Sequence, residues 1–116
     1  MIAAKNKILE SALRSLLKLD SPDDEIFVTA DSIGFFEKLS RLDLDLILLD
    51  WDFFNSETGD LIKMVKNDYP GTNLICMDIH HENIKNAFEA CADAFYFKSD
   101  PPGELIKMIR DFRCRK

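Results

Sequence analysis

Three ionisable residues close short apolar runs: Asp50 after Leu46-Ile47-Leu48-Leu49, Asp78 after Leu74-Ile75-Cys76-Met77, and Lys98 after Ala94-Phe95-Tyr96-Phe97. Each run is too short for a helix and reads as a buried parallel strand. In an open α/β sheet the C-terminal strand ends share one edge, which is where such sheets place ligands. Two carboxylates and an ammonium on that edge suit acyl-phosphate chemistry. A carboxylate oxygen attacks a phosphoryl group in line while fixed cations neutralise charge on the transferring oxygens. Asp50 is then the nucleophile and phosphoacceptor, and Lys98 the fixed cation. The plainer alternative is that Asp50, Asp52, Asp78, Lys5 and Lys98 form only a structural charge cluster.

The rest of the chain must supply the sheet. Ile8, Leu9, Ala12, Leu13, Leu16 and Leu17 recur at helical spacing and predict a helix over roughly residues 6–18. Asp20 to Asp24 is a turn around Pro22, and Ile26-Phe27-Val28-Thr29-Ala30 a strand. Asp31 or Ser32 caps a helix carrying Ile33, Phe36 and Leu39; Phe35 and Phe36 cannot both face the core. After the Asp50 strand, a polar loop at Asn55-Ser56-Glu57-Thr58-Gly59 leads into a helix with Leu61, Val65 and Tyr69, ended by Pro70-Gly71. Ile84, Ala87, Phe88 and Cys91 mark the helix after Asp78. Asp100-Pro101-Pro102 caps the last one, with Leu105, Met108, Ile109 and Phe112 as its inner stripe. Strands alternating with helices in this way imply an α/β fold, a parallel sheet with helices on both faces. Four strands are clear, and the fifth must come from Met1-Ile2-Ala3-Ala4.

At 116 residues this is a single domain, residues 1–116, with 47% hydrophobic and 31% charged residues, a globular balance. No apolar stretch is long enough for a membrane span, and the start lacks a signal-peptide pattern, so a cytoplasmic location and no membrane partner are expected. A net charge of −6 argues against a nucleic-acid partner. Arg110, Arg113, Arg115 and Lys116 form one basic cluster, a solvated last helical turn or the start of a linker. Cys76, Cys91 and Cys114 contain no CxxC pair, and Cys76 and Cys91 read as reduced core thiols. His80 and His81 are adjacent and make a poor metal pair.

With these residues in place, the chain resembles the receiver domains of two-component response regulators. The resemblance runs nearly the whole length. It rests on Asp43-Leu44-Asp45-Leu46-Ile47-Leu48-Leu49-Asp50-Trp51-Asp52, on Glu57-Thr58-Gly59, on Ala90 to Lys98, and on Ile2 to Leu9 continuing through Leu17. It implies a flavodoxin-like three-layer αβα sandwich, a five-stranded parallel sheet in order 2-1-3-4-5. It also implies Asp50 as phosphoacceptor, Lys98 at the family's lysine position, and Asp78 and Phe95 at its two switch positions. No catalytic group is expected beyond Asp50 and Lys98, so the chain is read as a signalling module and not an enzyme, at most adding and removing its own phosphoryl group. The implied partner is a histidine kinase or other signalling protein. A homodimer through the last two helices and fifth strand is the implied self-association, with Phe88, Tyr96 and Ile106 as candidates.

The chain departs from that family where Mg²⁺ would bind. Receivers carry an acidic pair at the end of the first strand; here those positions are Ala4 and Lys5. Losing two oxygen ligands should weaken or abolish Mg²⁺ binding, leaving Asp50 and Asp52 as weak metal candidates, and Lys5 is placed to pair with Asp50 in the metal's stead. The Ser or Thr switch position is Asp78 when counted forward from Asp50, and Cys76 when counted back from Lys98; Asp78 is preferred. A carboxylate there donates no hydrogen bond to phosphate unless protonated. Phe54 and Ser99 replace the prolines expected after Asp50 and Lys98. Two readings follow: an atypical pseudo-receiver acting by protein contact, or a working phosphoacceptor. A flavin-binding electron carrier of the same topology would need a phosphate-cradling loop, which Ala4-Lys5-Asn6-Lys7 is not.

Overall fold

The structure, a computed structural model, describes residues 1–114. Five strands, β1 (Ile2–Ala3), β2 (Val28–Thr29), β3 (Leu46–Asp50), β4 (Asn73–Asp78) and β5 (Ala94–Phe97), alternate with five helices. These are α1 (Lys7–Asp20), α2 (Ser32–Arg41), α3 (Thr58–Asp68), α4 (Asn83–Glu89) and α5 (Pro102–Cys114). The strands pair in parallel in the order β2-β1-β3-β4-β5, the predicted flavodoxin-like arrangement.

The two faces of the sheet explain why β3 is an unbroken apolar run. Successive side chains point to opposite faces, and both faces are covered. Ile47 and Leu49 pack with Phe35, Leu39, Ile62 and Val65 of α2 and α3. Leu48 packs on the other side with Leu13 of α1 and Leu105, Ile109 and Phe112 of α5.

Local chemistry starts the helices. The Asn6 side chain accepts from the backbone N–H groups of Ile8 (2.8 Å) and Leu9 (3.1 Å), and Asp31 does the same for Gly34 (2.7 Å). Gly34 is required by close approach: a Cβ there would lie 2.6 Å from the Thr29 hydroxyl, which is itself held by its bond to the Asp31 carbonyl.

Several sequence expectations are corrected. The second strand shrinks from the expected 26–30 to two residues. On α1, Ile8 is 83% exposed and Ala12 also faces solvent, so the buried stripe is narrower than the spacing implied. On α2 the core residue is Phe35, while Ile33 is 80% and Phe36 44% exposed. The polar loop after Asp50 is instead a 3₁₀ segment, Trp51–Glu57, and Gly59 lies inside α3. Cys91 is exposed and lies beyond the end of α4 with φ 75°, so it is not a core thiol. Arg110 and Arg113 pair with Asp20 and Asp24 and tie α5 to the end of α1. Both stand in the last turns of α5 with partly exposed side chains, as the solvated turn implied, and Arg115 and Lys116 of that cluster lie outside the described residues. No helix among the described residues is long and apolar enough to cross a membrane.

Candidate functional site

Register brings the three ionisable strand ends to one edge. Asp50 pairs with Met77 across β3 and β4, and Asp78 pairs with Phe97 across β4 and β5. Asp78 therefore stands one step beyond Asp50, and Lys98 one step beyond Phe97. The Lys98 N–H donates to the Asp78 carbonyl at 2.9 Å, which fixes where the lysine side chain begins.

From there the Lys98 ammonium reaches Asp50, with Nζ 2.8 Å from Oδ1. The Asp50 side chain is 7% exposed and that of Lys98 22%. Pairing at this separation offsets the desolvation that an unpartnered carboxylate would suffer. The backbone N–H of Asp52 also donates to Oδ1, at a longer 3.4 Å. Among the described residues no hydrogen bond reaches Oδ2, and that oxygen is not sealed from solvent. The Asp50 carboxylate is thus held by one oxygen and open at the other.

Asp78 is fully buried, and its carboxylate is engaged elsewhere. Oδ1 accepts from the backbone N–H of Ile79 at 2.8 Å, and Oδ2 accepts from the side-chain amide of Asn83 in the first turn of α4. Sequence reasoning missed Asn83. The available signal was an amide five residues beyond a buried carboxylate, at the start of a helix, where side chains commonly satisfy one another. Phe95 is buried against Phe97, whose ring stacks with His81 at 4.1 Å between centroids. Cys76 is buried on β4, two residues before Asp78 and paired with Leu49 of β3. Burial first, then the Asp78 and Asp50 carboxylates, push its thiol up to about 12, so it stays neutral and unreactive.

Ala4 and Lys5 directly follow β1. Ala4 is buried, with its N–H donating to the Thr29 carbonyl at 3.2 Å, and offers no side-chain ligand. Lys5 is exposed, and the ion pair of Asp50 is made with Lys98; the expected Lys5–Asp50 pair does not form. The Lys5 side chain extends into water, which hydrates an ammonium better than a half-closed site does. Asp52 is exposed. No group of three His, Cys, Asp or Glu side chains among the described residues is placed to hold a metal ion.

Of the three self-association candidates, Phe88 is 48% exposed, whereas Tyr96 and Ile106 are buried within the single chain. The Tyr96 hydroxyl donates to the Asp100 carbonyl at 2.7 Å. Burial, with Asp100 and Glu104 nearby, raises the pKa of this phenol.

Known proteins share this order of strands and helices. No family model matches the chain. It is similar to the nitrate/nitrite response regulator protein NarP of Escherichia coli (strain K12), at 24% identity over 112 residues. The match covers 95% of this chain and 52% of that protein, so the chain spans about half the length of its curated relative. Among solved structures it resembles the isolated REC domain of RcsB from Salmonella enterica serovar Typhimurium, with a TM-score of 0.88 at 18% identity, covering 99% of this chain and 87% of that one. It also resembles a CheY-like receiver domain protein from Methanospirillum hungatei, with a TM-score of 0.82 at 20% identity, covering 95% and 88%. The chain therefore has the fold of response-regulator receiver domains.

Proposed function

We propose that this domain serves a two-component phosphorelay as an atypical receiver, with a degraded Mg²⁺ site, that acts through protein contact. The observation that carries this reading is the pairing of Asp50 with Lys98 at a rim where Ala4 and Lys5 stand in the acidic-pair positions. Mg²⁺ demands near-octahedral oxygen coordination. Here one Asp50 oxygen already faces the Lys98 ammonium, both Asp78 oxygens are engaged, and Asp52 adds one exposed carboxylate. The donors present do not suit the ion, so no step is routed through it.

A partner such as a histidine kinase or other signalling protein has an approach route. A groove of about 480 Å³ runs between α1 and the start of α5, lined by Leu9, Leu16, Leu19, Tyr96 and Pro102, and it reaches Lys98. A homodimer through the last two helices and β5 would have to be built around Phe88.

The second reading, a working phosphoacceptor modified on Asp50 by a histidine kinase, is favoured by the open Oδ2 and by the lysine at 2.8 Å. One titration separates the two. Trp51 directly follows Asp50 and is the only tryptophan, so its fluorescence reports on the site. Under the proposed reading, Mg²⁺ followed by beryllofluoride leaves the signal flat in the folded protein, and the Ala4→Asp, Lys5→Asp double variant gains a saturable response. Saturable quenching of the unaltered protein at millimolar Mg²⁺ or below, with a further change on beryllofluoride, overturns it in favour of the phosphoacceptor.

A further inference from the structure

Beside the site the chain carries an exposed aromatic ledge that the reading above does not use. Four phenylalanines interlock there. Phe35 and Phe53 are buried, and Phe36 and Phe54 lean on them, with centroids 5.6 Å apart for Phe35–Phe36 and 4.7 Å for Phe53–Phe54. Phe36 and Phe54 meet edge-on at 5.9 Å, joining α2 to the 3₁₀ segment. Phe36 remains 44% exposed, and Ile33, one turn earlier on α2, is 80% exposed. The two buried rings fix the outer rings in place, so a partner that covers them has little side-chain order to impose.

Charge says what kind of partner fits. Asp31 and Glu37 of α2 and its cap, with Asp52 and Glu57 of the 3₁₀ segment, give four exposed carboxylates on the elements that carry the ledge, against two cations, Lys38 and Arg41. Arg41 is already paired with Glu37 at 3.1 Å, while Asp31, Asp52 and Glu57 stand exposed on the elements that carry the ledge. A second copy of this chain would bring like charge against like charge. A cationic surface would meet complementary potential around an apolar centre.

We infer that the ledge of Ile33, Phe36 and Phe54 is a docking surface for a basic amphipathic helix of a partner protein, its aliphatic face on the rings and its lysines or arginines toward the acidic rim. The interaction does not require Asp50 to be phosphorylated, and it stands whichever outcome the Mg²⁺ titration gives.

The test uses the full chain with a leucine–lysine amphipathic helix of about five turns as probe. A scrambled peptide of the same composition and a leucine–glutamate helix are the controls. Binding is followed by titration calorimetry and by amide chemical shifts. The leucine–lysine helix should bind in the tens of micromolar, roughly, moving the amides of Ile33, Phe36 and Phe54. Added salt should weaken it. Ile33→Ser with Phe36→Ser, both at exposed positions, should weaken it about tenfold. Ile8→Ser with Ile79→Ser, which removes two exposed side chains outside the ledge and outside the groove between α1 and α5, should leave it unchanged. Equal loss in both double variants, or equal binding of the scrambled or leucine–glutamate peptide, overturns the proposal. So does self-association, measured by light scattering, that Phe36→Ser abolishes, since a second copy would then be the occupant.

Discussion

Lys98 and Asp50 form an ion pair in which the carboxylate is nearly enclosed, and its worth lies mainly in what happens when it is broken. Replacing Lys98 by Met keeps the aliphatic stem but leaves Asp50 charged and unpartnered. Urea unfolding should show a loss of about 2–4 kcal/mol, somewhat below the usual figure for a fully buried pair because Lys98 is partly exposed. Adding Asp50→Asn to that variant should recover most of the loss. If Lys98→Met alone is neutral, the pair does not restrain the site. At this scale the sequence was informative about position and less so about partners. Asp50, Asp78 and Lys98 were legible because ionisable residues ending apolar runs are conspicuous. That Lys5 faces water, and that Asp78 bonds Asn83, depends on side-chain direction, which residue type and spacing do not encode.

Elements were legible where period and burial agree. β3, β4 and β5 followed from their apolar runs, and α3 and α5 from their stripes. Errors gathered where an apolar residue has no core to enter. Ile8, Ile33 and Phe36 fit a helical period yet lie on outward faces, and the 3₁₀ segment begins at Trp51, ahead of the turn residues Asn55 and Ser56 that marked only a loop. The end of α4 was misread for a physical reason. The Cys91 N–H donates to the Phe88 carbonyl and the Ala92 N–H to the Ala87 carbonyl, each at 3.0 Å, the pattern of a helix closed through a left-handed residue. Glycine usually fills that position; here a cysteine holds φ at 75°. Cys91→Gly should therefore raise stability by about 0.5–1 kcal/mol in denaturant titration. Cys91→Ala, which keeps the Cβ, should not. Equal gains from both would mean that the thiol, and not the backbone, is the unfavourable group.

Over the whole molecule, the sheet is unevenly built. β3 and β4 are joined along five residue pairs, from Leu46–Asn73 to Asp50–Met77, whereas β1 meets each of its neighbours along two. That asymmetry was hard to read in advance, because Met1-Ile2-Ala3-Ala4 carries too few residues to show a period. Yet β1 lies next to the centre of the sheet and directs Ala4 and Lys5 toward the Asp50 edge. The short strands imply two cooperative units of unequal free energy, so that the β2–β1 side opens by local unfolding while β3, β4 and β5 hold. In native-state hydrogen exchange, the amides of Ile2 and Ala4, which bond to the Phe27 and Thr29 carbonyls, should lose protection well before those of Asn73 and Lys98, which bond to the Asp45 and Asp78 carbonyls; simultaneous exchange would mean a single unit. A chain that opens in this order releases the strand bearing Ala4 and Lys5 first, while the backbone bond from Lys98 to Asp78 keeps the other two strand ends in register.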